Sequence, residues 1–433
     1  MNNLKEYYIK DIASIKSGKR LPKGHILTNE VTNHPYIKAR DIRGGKIRED
    51  QLEYLTEETH KRIKRYIVEA NDVCITIVAN IGDVGIVPQS LSKANLTENA
   101  VRLTNIKEFV SPKYLCQLLS AKFFKEYMEL LSAGAAQSKL GIYKIEKIKV
   151  LLPPLPTQQR IASILSAYDD LIETNNQRIL VLEKSAKEIY KEWFARMRFP
   201  EFRKAKFKKG IPTEWRIEPI GKVIDYHIGG GWGNDNKDNQ FSVSGYVIRG
   251  TDIPKVRAGQ ANQDVYRFHK ASNMKSRELI EGDIVFETAG GSEGQPLGRT
   301  CYITQEILDS YGDKVMAASF CKQVRTTSIP SLYLYYFLNY LYDTGMIETY
   351  QIQSTGISNY QFEPFLKFQQ IILPKDDLMQ SFHDMVLPMQ KQIAISGNQN
   401  TQLRQIRDRL LPRLVSGKLQ VKADIKPKKS VIA

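Results

Sequence analysis

Apolar residues recur at alternating spacings of four and three along residues 153–197, which predicts one unusually long helix. The row begins at Ile161, ends at Trp193, and is interrupted by a polar residue only at Asn175. This spacing is typical of the seam of a coiled coil. A helix of about 40 residues would run roughly 60 Å, more than a compact domain needs. We therefore expect a spacer.

A second apolar row repeats the first one 221 residues further along the chain. It runs from Phe382 to Leu414 and keeps most of the apolar positions. Two such seams in one chain can bury each other as an antiparallel pair, with Asn175 opposite Ser396 or Asn400 fixing the register. The expected seam consists of Ile161, Leu165, Ile172, Asn175, Ile179, Leu182, Ile189, Val386, Ile393, Leu403 and Leu410.

The regions outside these rows are strand-like, and they repeat at a shift of 211 residues. The run "YIKARDI" aligns with "VIRGTDI", which pairs Asp41 with Asp252, and Asp72 pairs with Asp283 in the same way. Short β-branched runs between polar and glycine residues predict strands and turns. A carboxylate that recurs in both copies suits a turn or a cap better than a base contact.

The predicted fold is therefore a duplicated α/β (α+β) domain, with two long helices that pair as an antiparallel coiled coil. The expected segments are a first domain at 1–152, a first long helix at 153–197, a basic linker at 198–210, a second domain at 211–375, a second long helix at 376–416 and a disordered tail at 417–433.

Charge adds a candidate ligand to this architecture. The chain has 63 basic and 47 acidic residues, a net charge of +16 and a pI near 9.4, which favours a polyanion such as nucleic acid. The second domain has no net positive charge, so that any contact there needs a local patch.

Arginine, lysine and asparagine are the residue types that read base edges and phosphates. The alternative is that these cations protect solvated strand edges from aggregation. The candidates are Lys38, Arg40, Arg43, Lys46, Arg48 and Asn80 in the first domain, Arg249, Lys255, Arg257 and Arg267 in the second, and Arg203 and Lys204 in the linker.

Motifs of catalysis and metal binding are missing from the sequence. It contains no GxxxxGK[ST] phosphate loop, no GxSxG and no HExxH, and the glycine-rich run "GGGWG" lacks the lysine of a phosphate loop. Its six histidines are scattered and its four cysteines form no CxxC pair. We expect a non-catalytic, metal-free chain in the reducing cytoplasm, and no apolar run long enough for a membrane span.

Three stretches carry a family resemblance that covers essentially the whole chain. "LPPLPTQQRIASIL", the following "DDLIETNNQRILVLEKSAKEIYKEWF" and the later "IPTEW" resemble the specificity (S) subunits of type I restriction–modification systems. The resemblance implies two target-recognition domains that each read one half of a bipartite site in double-stranded DNA. It also implies that the helices bind partner subunits, which carry out adenine methylation and restriction.

The resemblance further implies the partners and their cofactors. Methyltransferase (M) subunits, two of them, would bring S-adenosylmethionine, and restriction/translocase (R) subunits would use ATP and Mg²⁺, so that this chain itself needs no cofactor. Two alternatives remain open. One is the reader subunit of a fused methyltransferase–nuclease system, and the other is a coiled-coil scaffold that binds no DNA.

Overall fold

The computed structural model describes residues 4–133, 138–290, 295–354, 357–416, 418–419 and 421. The chain divides into two compact units. Unit 1 comprises Met1–Asp170 with Arg404–Ala433, and unit 2 comprises Leu171–Leu403. Most of the predicted tail at 417–433 lies outside the described residues.

Unit 1 is built on a six-stranded sheet. Its strands lie in the order Ser14–Ser17, Ala100–Thr104, Val73–Thr76, Val84–Ile86, Gly45–Ile47 and Ile42–Arg43. All four residues of the run "VCIT" in Val73–Thr76 are buried, as expected for a strand that is covered on both faces. Smaller sheets pair Lys5–Tyr8 with Lys149–Leu152, and Pro35–Ile37 with Glu53–Tyr54 and Asn95–Leu96.

Four of the five short helices of unit 1 pack on this sheet, and Glu57–Ile63 packs beside the strand Pro35–Ile37. The five helices are Ile9–Ile12, Glu57–Ile63, Pro112–Leu119, Lys122–Ser132 and Ile142–Glu146, with 3₁₀ turns at Ala39–Asp41 and Gln89–Leu91. The helix Pro112–Leu119 begins where its sequence predicts, because Ser111 caps it by accepting from the backbone N–H of Tyr114, and proline occupies its first position.

Unit 2 repeats this plan with longer insertions. Its four-stranded sheet has the order Tyr226–Gly229, Cys321–Arg325, Ile284–Glu287 and Thr300–Tyr302. Further sheets are formed by Tyr266–His269, Val243–Ile248 and Val315–Ala317, by Ala289–Gly290, Ile357–Tyr360 and Gln351–Ser354, by Arg216–Pro219 and Gln370–Leu373, and by Phe207–Lys208 and Ile211–Pro212.

The helices of unit 2 include one that is almost entirely buried. This helix, Ser331–Asp343, packs its tyrosines and leucines into the main core together with Tyr190 and Phe382 of the two long helices. The others are Ile253–Arg257, Ala271–Arg277, Gln305–Tyr311 and Phe362–Phe368, with 3₁₀ turns at Phe202–Lys204, Ile220–Lys222, Gly250–Asp252 and Met346–Tyr350 and a π turn at Lys191–Ala195.

The aspartates that recur at a shift of 211 residues hold equivalent turns. Asp41 accepts from the backbone N–H of Lys38 at 2.8 Å, and Asp252 accepts from that of Arg249 at 2.9 Å. Asp72 and Asp283 likewise accept from the backbone N–H three residues earlier. Each of this second pair also binds an arginine, Arg102 or Arg325. The predicted turn role of these carboxylates is confirmed.

The two long helices, Leu155–Tyr190 and Asp376–Val415, pack against each other within each unit. In unit 1, Ile161 and Leu165 share a cluster with Leu414, whereas Asp169 forms an ion pair with Arg407 at 2.5 Å. Residue numbers therefore rise along one helix as they fall along the other. The predicted antiparallel pair is confirmed.

The predicted seam positions are all buried or half-buried, some of them against the domain cores. Buried positions are Ile161, Leu165, Ile172, Asn175, Ile179, Val386 and Ile393, and half-buried positions are Leu182, Ile189, Leu403 and Leu410.

A small network of asparagines occupies the middle of the seam in unit 2. The Asn175 amide donates to the carbonyl oxygen of Asn400 at 3.1 Å, and the Asn400 amide donates to that of Asn176 at 2.9 Å. Asn400 is fully buried, so its polar atoms depend on these partners. Such a network selects one register of the two helices at some cost in stability.

Replacing Asn175 alone by leucine is expected to lower the unfolding free energy by about 1–3 kcal/mol, because the buried side-chain oxygen of Asn400 then loses the amide that donates to it. The double variant Asn175→Leu with Asn400→Leu should recover most of this loss, since the group that then loses a partner, the Asn176 side-chain oxygen, is only half-buried and can bind water. Urea unfolding followed by circular dichroism measures both. A single variant as stable as the parent chain would contradict this role of the network.

Candidate nucleic-acid interface

A two-residue hairpin displays two of the predicted cations in unit 1. The strands Ile42–Arg43 and Gly45–Ile47 pair so that Arg43 faces Lys46, and Gly44 and Gly45 have φ angles of 62° and 81°. Positive φ at both central positions defines the type I′ turn that two-residue hairpins prefer. Arg43 and Lys46 are exposed, and neither has a carboxylate partner in the described part of the chain. Both are available to phosphates or base edges.

The other three cations of this stretch bind carboxylates of their own unit. Lys38 and Arg40 both bind Glu53, the latter at 2.6 Å. Arg48 binds Asp50 at 2.8 Å, and this hydrogen bond holds the pKa of Asp50 below its ordinary value. These ion pairs order the base of the hairpin, although Arg40 and Arg48 stay half exposed.

Asn80 lies in a second exposed loop, between the strands Val73–Thr76 and Val84–Ile86. The Thr76 hydroxyl ties this loop together, because it donates to the Asn80 carbonyl oxygen and accepts from the backbone N–H of Asp83 at 2.9 Å. Lys125 binds the Asp83 carboxylate at 2.6 Å. The side chain of Asn80 is exposed.

Unit 2 has a short helix, Ile253–Arg257, where unit 1 has the hairpin. Lys255 is exposed on this helix, but Arg257 binds Glu183 of the first long helix at 2.6 Å. The turn after the helix also lies against the second long helix, since a Cβ on Gly259 would stand 2.2 Å from the carbonyl oxygen of Ile393. Arg257 therefore fastens the domain to the helices of unit 2.

The remaining predicted cations also contact partners within unit 2. Arg249 binds the Asp252 carboxylate through two nitrogens, at 2.8 and 3.0 Å. Arg267 lies over the ring of Trp232, 4.8 Å from its centroid, and binds Asp235. In the linker, Lys204 is bound to Glu201 at 2.8 Å and Arg203 lies over the Phe202 ring. Lys204 and Arg203 are exposed.

Sequence reasoning missed a cleft of about 510 Å³ in unit 1 that combines cations with aromatic rings. Its lining includes Lys19, Arg20, Tyr66, Lys139 and Tyr143. The signal that could have found it is Gly18, which pairs with Gly229 at the shift of 211 residues and directly precedes two of these cations. Cations next to exposed aromatic rings are typical of nucleic-acid-binding surfaces.

Other kinds of site have no counterpart among the residues described. No group of three or more histidine, cysteine, aspartate or glutamate side chains in the described ranges could hold a metal ion. Burial raises the pKa of the Cys116 thiol to about 12, and the other three cysteines are buried as well. Among the helices described, none combines the length and apolar character needed to cross a bilayer.

Comparison with known proteins relates the chain to one family. Residues 1–184 match the family model of the type I restriction modification DNA specificity domain. Over 440 residues, the chain is 25% identical to the type I restriction enzyme MjaIX specificity subunit of Methanocaldococcus jannaschii, covering 95% of this chain and 93% of that protein. Along most of its length, the chain is therefore similar to a specificity subunit of a type I restriction–modification system.

Further comparisons agree with this similarity. The chain is 28% identical to the MjaVIII specificity subunit of the same organism over 199 residues, which cover 45% of this chain and 43% of that protein. Its fold matches the crystal structure of the type I restriction–modification S subunit from M. genitalium with a TM-score of 0.59 at 15% identity, covering 95% and 96% of the two chains. The duplicated domains therefore share the fold of that S subunit.

Proposed function

We propose that this chain reads a bipartite site in double-stranded DNA, one half with each domain, and directs partner subunits to methylate adenine and to restrict. The proposal rests on one observation. The two domains share a framework, but the structure that follows the shared aspartate turn differs between them. Asp41 and Asp252 hold the same turn in both domains, but a Gly-Gly hairpin follows the first and a helix follows the second. A hairpin and a helix at equivalent places of one framework suit two different half-sites.

The ion pairs divide the predicted cations into two groups. Arg43 and Lys46 are exposed without a carboxylate partner in the described ranges, which suits phosphate or guanine contacts. Lys38, Arg40, Arg48 and Arg249 are ordered by carboxylates, so that each presents fewer free donors. Arg43 and Lys46 are thus the contacts of the first domain with the largest expected share of the binding energy.

The surface of the long helices supports a role in binding partner subunits. In unit 2, Leu171, Leu180 and Val181 are exposed on the first helix, outside the seam, and Ile395 is exposed on the second. Apolar side chains outside a coiled-coil seam suit a protein partner better than water. We assign this surface to two methyltransferase subunits that carry S-adenosylmethionine, while restriction subunits use ATP and Mg²⁺.

Salt dependence of binding tests the DNA-reading role. We expect the chain, assembled with its methyltransferase subunits, to bind DNA that contains its site and to lose affinity steeply as salt rises. With about 6–10 phosphate contacts, the loss between about 50 and 200 mM salt is roughly 10³- to 10⁵-fold. A shuffled duplex of equal length is the control. A scaffold that binds protein only would show no difference between the two duplexes at any salt concentration.

A further inference from the structure

The turn that follows the first strand of each main sheet is held by the same hydrogen bonds in both domains. In the first domain, the backbone N–H of Gly18 donates to Ala100 at 3.1 Å, and that of Lys19 donates to Leu96 at 2.8 Å. In the second domain, Gly230 donates to Cys321 and Gly231 to Ala317, both at 2.9 Å. The two acceptors are four residues apart in each case. Gly18 and Gly230 therefore occupy the same place in the fold.

Only glycine fits at this place. A Cβ on Gly18 would stand 2.0 Å from the carbonyl oxygen of Thr97, and a Cβ on Gly230 would stand 2.2 Å from that of Ala317. Real Cβ atoms do not approach backbone oxygens so closely, since the overlap would force the turn away from the sheet. The backbone of the turn is thus a fixed framework that the two domains share.

The side chain two positions after this glycine differs between the domains. It is Arg20 in the first domain, with a side chain that is 85% exposed, and Trp232 in the second, which is 41% exposed. The Arg20 guanidinium approaches Glu98 at 3.6 Å, and the neighbouring Lys19 lies over the Tyr66 ring. A fixed backbone with a variable, exposed side chain is what reading two different sequences requires.

Hydrogen bonds on both sides of Trp232 fix the turn on which this side chain is exposed. On one side, Arg277 donates to the carbonyl oxygen of Gly229 at 2.8 Å. On the other, Asn234 and Phe268 exchange two backbone hydrogen bonds of 2.9 Å. The guanidinium of Arg267 lies on the indole ring, which fixes the orientation of the ring. An ordered and exposed indole beside a cation is a surface prepared for a ligand.

We propose that Arg20 and Trp232 contact base edges of the DNA half-sites that their domains read, Arg20 as a donor to a guanine and Trp232 as an apolar contact to a thymine methyl group. This inference rests on the proposed function. Arginine matches the two acceptors on the major-groove edge of guanine, and an apolar side chain matches the thymine methyl. The cations Lys19, Arg20 and Arg267 at these turns suit the negative charge of DNA, while Glu98 and Asp235 keep the guanidinium groups ordered in its absence.

Tryptophan fluorescence of the full chain tests the contact directly. Trp215 is buried and Trp193 is half-buried in the core of unit 2, so that Trp232 is the exposed indole of the three in the sequence. We expect DNA containing the site to protect the emission from iodide, and this protection to disappear in Trp232→Phe. Binding of site-containing DNA without any change in the iodide quenching of Trp232 would overturn the inference for the second domain.

Methylation patterns of two variants test specificity, with the chain assembled with its methyltransferase subunits. Arg20→Ala is expected to lose roughly 5- to 150-fold of the discrimination at one base pair of the first half-site and to leave the second half unchanged. Trp232→Ala is expected to do the reverse, with a loss of roughly tenfold. Lys122→Ala, which removes a cation that is 90% exposed on the helix Lys122–Ser132, is the matched control and should keep the parental motif.

The outcomes separate this inference from the proposed function. If the assembled chain methylates no defined motif and binds no DNA selectively, the proposed function itself is wrong. If the motif is defined but both variants keep it unchanged, or if each variant relaxes both halves alike, only the inference is wrong. Melting curves from circular dichroism establish that each variant is folded, because both side chains are exposed and their loss should hardly change stability.

Discussion

Asp283→Ala is expected to lower the unfolding free energy of unit 2 by about 3 kcal/mol, because removing one partner of a buried ion pair leaves the other groups unpaired. Asp283 is fully buried and accepts four hydrogen bonds. Two come from Arg325 at 2.6 and 2.9 Å, one from Gln323 and one from the backbone N–H of Ile280 at 2.8 Å. Arg325 is partly exposed, so water recovers some of its hydrogen bonding and the loss stays at the lower end of the usual range.

Asp72→Ala is the matched variant in the first domain. Asp72 accepts a single hydrogen bond of 3.1 Å from Arg102 and one from the backbone N–H of Glu69, so its removal should cost about 1–2 kcal/mol. Urea unfolding with circular dichroism compares the two variants with the parent chain. Equal losses at the two positions would mean that the larger network around Asp283 adds nothing to stability.

Lengthening both long helices by four residues is expected to lengthen the undefined gap between the two half-sites. The insertion points are between Asp170 and Leu171 and between Leu403 and Arg404, where the two compact units divide. Four helical residues add about 6 Å and advance the helical phase by roughly 40°. At about 3.4 Å per base pair, the gap should grow by one or two base pairs, with both specified halves unchanged.

Insertion into one helix alone is the control for this prediction. It would put the two seams out of register on one side of the insertion, so that the Asn175–Asn400 pair and the Asp169–Arg407 pair could not both form. We expect the single insertion to destabilise the pair and the matched insertion to keep it folded. An active variant with matched insertions and the parental gap would show that the linker at 198–210, and not the helices, sets the spacing.

Local rules were sufficient to predict the helix pair and the duplicated turns. The four-three spacing from Ile161 onward specifies a buried seam whatever its neighbours are, and Asp41 and Asp252 hold the turns in which they occur. Partners far apart in sequence were not predictable in this way. The pairing of Arg257 with Glu183 depends on how a whole domain packs on the first long helix of unit 2.

The difference between the hairpin of the first domain and the helix of the second was also not predictable from the sequence. "YIKARDI" and "VIRGTDI" align well, yet the residues after them fold as a hairpin in one case and a helix in the other, because the Gly44-Gly45 pair has no counterpart beside Pro254. Trp232 was not predicted as a contact residue, because the glycine-rich run around it was compared only with phosphate loops. The equivalence of Trp232 and Arg20 follows only from the structure, in which Gly18 and Gly230 make the same hydrogen bonds.

The central claim is that each domain specifies one half-site on its own. Methylome sequencing of cells that carry the complete system, with residues 211–375 replaced by the same region of a relative, tests it most directly. We predict a methylated motif in which one half is changed to that of the relative and the other half and the gap are those of the parent. A motif in which both halves change together, or in which neither changes, would contradict the claim.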